Sequence, residues 1–262
     1  MPSGATDTAA PPPAAAGAPV PAWVAGVDGC PGGWIAVLLD LSGGCAPRVD
    51  VVPRFCDILA RAEAPAVIAV DMSIGLPERA GPGGRGAEAA VRPLLGPRQS
   101  SVFSVPSRAA VMAQDYGEAC RLALATSDPP RKVSRQGFGL FAKIREIDAL
   151  LAADPALAGR VFEVHPEVGF WRLSGGRPMT LPKKVKGAAN PAGLDERRDL
   201  LAAHGLSRAL LDARPPRGAA RDDLLDACVC ALLAGRILAG TAEPFPPEEI
   251  RDARGLRIAI WA

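Results

Sequence analysis

Two apolar runs of strand length, "WVAGVDG" (residues 23–29) and "WIAVLLDL" (34–41), stand on either side of a Cys-Pro-Gly-Gly turn. This pattern predicts a β-hairpin. "RVDVVPRF" (48–55) predicts a third strand, "CDILARAEA" (56–64) has helical spacing, and "AVIAVDMSIGLP" (66–77) is a β-branched run that ends at Asp71. The order β-β-β-α-β describes a meander followed by a right-handed crossover to a buried strand. From about residue 76 to 160 the periodicity turns helical, in "RGAEAAVRPLLG", "RAAVMAQDYGEACRLALAT" and "FAKIREIDALLAAD", with Pro/Gly/Ser loops between. This segment reads as a mostly helical insertion covering one end of the sheet. "RVFEVHPE" (160–167) returns to strand character, "LDERRDLLAAHG" (194–205) predicts a helix with a glycine stop, and "RDDLLDACVCALLAGRILAG" (221–240) predicts a long helix with an acidic start. "GLRIAIWA" (255–262) predicts an edge strand.

Composition narrows this picture. At 262 residues, 48% of them hydrophobic, the chain can bury the core of one α/β domain. The first 22 residues read as a Pro/Ala-rich disordered tail, which leaves 23–262 as a single domain carrying the insertion. The tail has no basic start and no leucine-rich core, so it does not read as a signal peptide. No stretch is long and apolar enough to span a bilayer, and the expected location is the cytoplasm. The six cysteines form no C-x-x-C pair and read as reduced thiols. A net charge of +2 points to no polyanionic partner by itself.

The chemistry lies in the carboxylates. Asp28 and Asp71 end two buried strands, Glu163 sits inside "VFEVHPE", and Asp222, Asp223 and Asp226 cluster at the start of the long helix. Asp223 and Asp226, spaced i, i+3, share one helix face. A helix docked on the sheet would carry them toward the strand-end aspartates. The motifs hold few arginines or lysines to neutralise such a group, whereas a hard cation, Mg²⁺ or Mn²⁺, prefers oxygen ligands alone. Two such ions about 3.5–4 Å apart could clamp a phosphodiester. On this reading the glycine turn leaves Asp28 unobstructed for a metal or phosphate. The ordinary alternatives are that Asp28 and Asp71 form turns, Asp222 caps the helix, and Glu163 pairs with Arg160 or a helix arginine. His165 reads as structural and His204 as a surface residue.

The motifs "GVDGCPGGW", "VDMSIGLP", "LLGPRQSSVFSVPSR", "SRQGFGLFAKIREID", "FEVHPEVGF", "LPKK" and "DDLLDA" resemble, in this order, those of the DUF429 family. That family is of unknown function and predicted to comprise nucleases of the ribonuclease H-like fold. The resemblance implies a mixed sheet of order 3-2-1-4-5, flanked by helices, with its first three strands antiparallel. It also implies metal-binding and catalytic carboxylates at Asp28, Asp71, Asp223 and Asp226, with Glu163 of the E-x-x-P-E motif as a further ligand or base. Two positions depart from the pattern: Glu88 stands where R-x-x-D would place an aspartate after Arg85, and Ser73 replaces a proline. The longer Glu88 is expected to pair with Arg92.

On the substrate side, basic residues with interleaved aromatics in "PPRKVSRQGFGLFAKIR" and "GGRPMTLPKKVKG" nominate Arg135, Lys143, Lys183 and Lys184 for nucleic-acid contact. The competing reading places Phe141 and Ile144 in the core of the insertion. The resulting expectation is a divalent-metal-dependent nuclease using metal-activated water. Its alternatives are a non-catalytic binding module of the same fold and an actin-like ATP-using phosphotransferase. The phosphotransferase would require a second copy of the "GVDG" hairpin, which the chain lacks.

Overall fold

The computed structural model describes residues 23–262, so the Pro/Ala-rich stretch 1–22 lies outside the described residues. Strands β1 (Trp23–Cys30), β2 (Gly33–Asp40) and β3 (Arg48–Val52) form the meander, and α1 (Cys56–Leu59) leads to β4 (Val67–Val70). Next come α2 (Gly86–Val91), a 3₁₀ stretch (Arg92–Ser101), α3 (Arg108–Met112), α4 (Tyr116–Thr126) and α5 (Arg135–Ala153), before β5 (Val161–Glu163). The chain continues through α6 (Pro166–Leu173), a ribbon of β6 (Lys184–Val185) and β7 (Ala188–Ala189), α7 (Pro191–Ala203), α8 (Arg208–Leu211) and α9 (Arg221–Leu238). A second ribbon, β8 (Pro244–Phe245) with β9 (Ile260–Trp261), completes it.

The main sheet has the order β3-β2-β1-β4-β5. β1, β2 and β3 are antiparallel, while β4 and β5 run parallel to β1. This is the order implied by the motif resemblance. The pleat sends alternate residues of each strand into two cores. Val24, Ile35, Val67 and Ala69 pack under α9, whereas Ala25, Val27, Trp34, Ile68 and Val70 pack under helices α3 to α5 of the insertion. The insertion therefore covers a face of the sheet and not only one end, and Phe141 and Ile144 are buried in that core.

The helix α9 approaches the sheet closely because β1 carries glycine at the crossing. A Cβ at Gly26 would fall on the backbone of Ala227 and Ala231. Apolar residues all round the middle of α9, including Leu224, Val229 and Leu233, make it a buried helix.

Three expectations are corrected. The C-terminal strand does not join the main sheet; β9 pairs with β8, and Trp261 stacks edge-on against Phe162 of β5 at 5.4 Å. The helix anticipated over 56–64 is confined to α1, ending at Leu59. The strand reading of "VHPE" stops short of α6, which starts at Pro166, a residue suited to the first helical position because its missing N–H needs no partner there. All six cysteines are unbridged, and four of them are buried. Among the described residues no helix is long and apolar enough to cross a membrane.

Candidate functional site

Sheet register brings the first two carboxylates together. Val27 of β1 is level with Val70 of β4, so Asp28 and Asp71 follow side by side, and the Asp71 N–H donates to Val27 O at 2.9 Å. Both continue the alternation of the sheet face covered by α9. Contact between Gly26 and the 227–231 segment of α9 sets Asp226, one residue earlier on the helix, toward the same strand ends. Asp28 and Asp226 are buried and Asp71 is half-buried.

The electrostatics record the convergence. Burial, followed by the nearby Asp71 and Asp226, pushes Asp28 well above the ordinary carboxylate range, and Lys183 pulls against this. Asp71 is pushed up to about 7, chiefly by burial and then by Asp226. Asp223 is raised by burial, against the Ala220 N–H that donates to its Oδ2 at 2.8 Å. It therefore caps the start of α9 and lies at the edge of the group. Asp28 Oδ1 accepts from the N–H of Gly29 at 2.7 Å.

A cation of the chain already stands among these acids. The Lys183 ammonium donates to Asp226 Oδ2 and is held charged by Asp226, Asp28 and Asp71 against the cost of its burial. Lys184 pairs with Asp222 at 2.6 Å. The sequence reading that the motifs lack neutralising cations is thus corrected, as is the capping role considered for Asp222. Neither lysine points away to a substrate; both tie the β6–β7 ribbon to the N-terminal turn of α9. Behind them, the fully buried Arg197 of α7 donates to Glu167 Oε1 at 2.5 Å and to Leu181 O at 3.0 Å, fixing the loop that presents Lys183.

Glu163 belongs to a different arrangement. It is level with Val70 and follows the opposite pleat from Asp71. Arg85 donates to both its oxygens, at 3.0 and 2.5 Å, and the Ile74 N–H adds a third bond at 2.7 Å. The same guanidinium holds Glu88 at 2.6 Å and the carbonyls of Ile74 and Gly75. Glu88 thus pairs with Arg85 and not with Arg92, whose guanidinium is bound by Gly83 O, Val102 O and Ser104 Oγ. Burial pushes Glu163 up to about 7 against the pull of Arg85. Glu163 is paired with Arg85, the residue just before α2, and fastens β5 to the 72–76 loop.

The glycines of the turn are packed against the rest of the chain. Gly32 N–H donates to Gly218 O at 2.8 Å, and a Cβ at Gly33 would strike Val52 O. These glycines let the hairpin pack on backbone. Lys143 lies across the hairpin, its ammonium over the Trp34 ring at 4.4 Å and bonded to Gly33 O. Arg135 stacks on Tyr116 at 4.0 Å. His165 is half-buried with Nε2 3.3 Å from Ser101 O, and exposed His204 lies 2.9 Å from Leu173 O.

A cavity of about 350 Å³ opens beside Asp28 and Asp71, under the insertion. Phe103, Leu140 and Phe141 form apolar wall, while Arg131 and Lys132 line it with side chains that are exposed and make no ion pair among the described residues. Among the described residues, no three acidic, histidine or cysteine side chains are grouped to hold a metal ion as they stand. The donor set still suits a hard cation in kind. It offers oxygen alone, it sets three carboxyls against the one Lys183 ammonium, and buried Asp226 Oδ1 has no hydrogen-bond partner.

The fold and site define an α/β protein with an acidic cluster at the carboxyl ends of its central strands. The chain belongs to the family described as "Protein of unknown function (DUF429)", whose pattern it matches over residues 26–251. Comparisons with curated proteins and with solved structures find no match.

Proposed function

We propose that the protein is a divalent-cation-dependent nuclease of ribonuclease H-like type that hydrolyses phosphodiester bonds. One observation carries the reading: Asp28, Asp71 and Asp226 converge from β1, β4 and α9 on one end of the sheet, three carboxyls against the one Lys183 ammonium, beside an open cavity. These three residues would hold Mg²⁺ or Mn²⁺. Such a cation stabilises charge at a phosphate and lowers the pKa of water. The chain's own contribution is orientation. The sheet fixes Asp28 and Asp71, Lys183 holds one oxygen of Asp226, and Arg131 and Lys132 offer charge to phosphates flanking the scissile one. The half-buried Phe103 gives the cavity a surface on which an unpaired base can stack.

The test is cleavage of labelled single-stranded and duplex oligonucleotides with Mn²⁺ or Mg²⁺. Asp28→Asn and Asp71→Asn should each lower the rate at least a hundredfold with folding intact. Undiminished cleavage by both variants would sink the proposal. A non-catalytic binding module is the second reading, favoured by the Lys183–Asp226 pair, which meets part of the charge demand without any metal. It predicts oligonucleotide binding with no turnover in any metal.

A further inference from the structure

The cluster joins three carboxylates to one ammonium. The sheet register sets Asp28 beside Asp71, and Lys183 donates to Asp226 at the same strand ends. With all four ionised, the net charge is that of two electrons. One divalent cation cancels it; two would leave an excess of positive charge among these four groups, which burial disfavours. The two oxygens of Asp226 are also unlike. Oδ2 takes the Lys183 ammonium, while Oδ1 is buried without a partner. A single carboxylate therefore has one oxygen committed to a fixed cation and one buried with no partner.

Resting on the nuclease reading above, we infer that the site is built for one divalent cation and that Lys183 is a positioning residue standing in for a second. The lysine is not a loose surface group that happened to fall here. Arg197 grips Leu181 O at 3.0 Å, and Asn190 bonds Pro182 O at 2.8 Å and, through its N–H, Lys183 O at 2.9 Å. Lys184 adds a second anchor on Asp222 at 2.6 Å. The loop is braced on both sides of the ammonium, as a charge with a fixed address requires. Lysine suits the role as a compact point charge on a long stem.

The test is Mn²⁺ binding by calorimetry and electron paramagnetic resonance, using wild type, Lys183→Met and Lys183→Arg. The expected wild-type result is one ion per chain with an uncoupled signal. Lys183→Met should admit a second ion, giving a spin-coupled pair, and Lys183→Arg should keep the single ion. Two ions in the wild type would overturn the inference, as would a Lys183→Met variant that folds and still binds one. Binding by Lys183→Met alone would also overturn it, because the lysine would then exclude the cation instead of accompanying it. No binding in any of the three would strike the metal reading itself. If Lys183→Met does not fold, the wild-type stoichiometry and the Lys183→Arg result decide.

Discussion

Asp28 and Asp71 are held at a disadvantage that pH should expose. Both bind a proton more tightly in the folded chain than unfolded, because burial and neighbouring carboxylates oppose ionisation. Their contribution to stability is therefore full below the ordinary aspartate value of about 4 and is lost as pH rises through the folded value, about 7 for Asp71. The metal-free protein should melt at a lower temperature at pH 8.5 than at pH 5.5. Asp71→Asn should flatten that dependence, and thermal melts of both proteins check it. Arg85 behaves in the opposite sense to a site residue. Removing it in Arg85→Met leaves Glu163 and Glu88 buried without their cation, a loss of about 3–5 kcal/mol by denaturant titration. Glu163→Gln should leave Mn²⁺ affinity within a factor of about three by calorimetry, and a larger loss would return Glu163 to the cation site.

At the level of elements, the crossing of α9 over β1 sets the site. Gly26→Ala would put a methyl group into the backbone of α9. The expected cost is at least the roughly 1–3 kcal/mol of an overpacked core, with cation binding weakened because Asp226 moves with the helix. Calorimetry against a melting curve separates the two effects. The same level shows what could be read from the sequence. Apolar runs of strand length ended by aspartate gave away β1 and β4, and the sheet register then made Asp28 and Asp71 neighbours. The i, i+3 spacing put Asp223 and Asp226 on one face, but only the docked helix shows Asp223 spent on the Ala220 N–H. Lys183 was visible as a basic residue and invisible as the partner of Asp226, 43 positions away. That pairing depends on a loop held by Arg197, for which no local pattern exists. The opposite pleat of Glu163 followed from β5 lying parallel to β4, a register that periodicity does not contain. The short β8–β9 ribbon was misplaced because two-residue pairings leave no alternation to count.

At the scale of the molecule, the insertion adds basic charge to an acidic cavity. Arg131 and Lys132 line the same space as Asp28, Asp71, Glu88 and Glu163, and neither makes an ion pair among the described residues. The pair should contribute affinity and not chemistry. In Arg131→Ala/Lys132→Ala, the salt dependence of single-strand binding should become shallower by about 0.7 for each phosphate no longer neutralised, with Mn²⁺ binding unchanged. Filter binding across a salt series measures this, and an unaltered slope would place the strand elsewhere.

The distance along the chain between Asp28 and Asp226 has a kinetic meaning. The β1–β2 hairpin can form early from local pairing, but the acidic group does not exist until α9 settles on Gly26. Repulsion between Asp226 and the Asp28–Asp71 pair is thereby postponed to the docking of α9, where it would act as a brake on an otherwise apolar association. A cation that bridges the carboxylates would release that brake. Refolding followed by tryptophan fluorescence should show Mn²⁺ quickening the last phase and leaving earlier phases untouched.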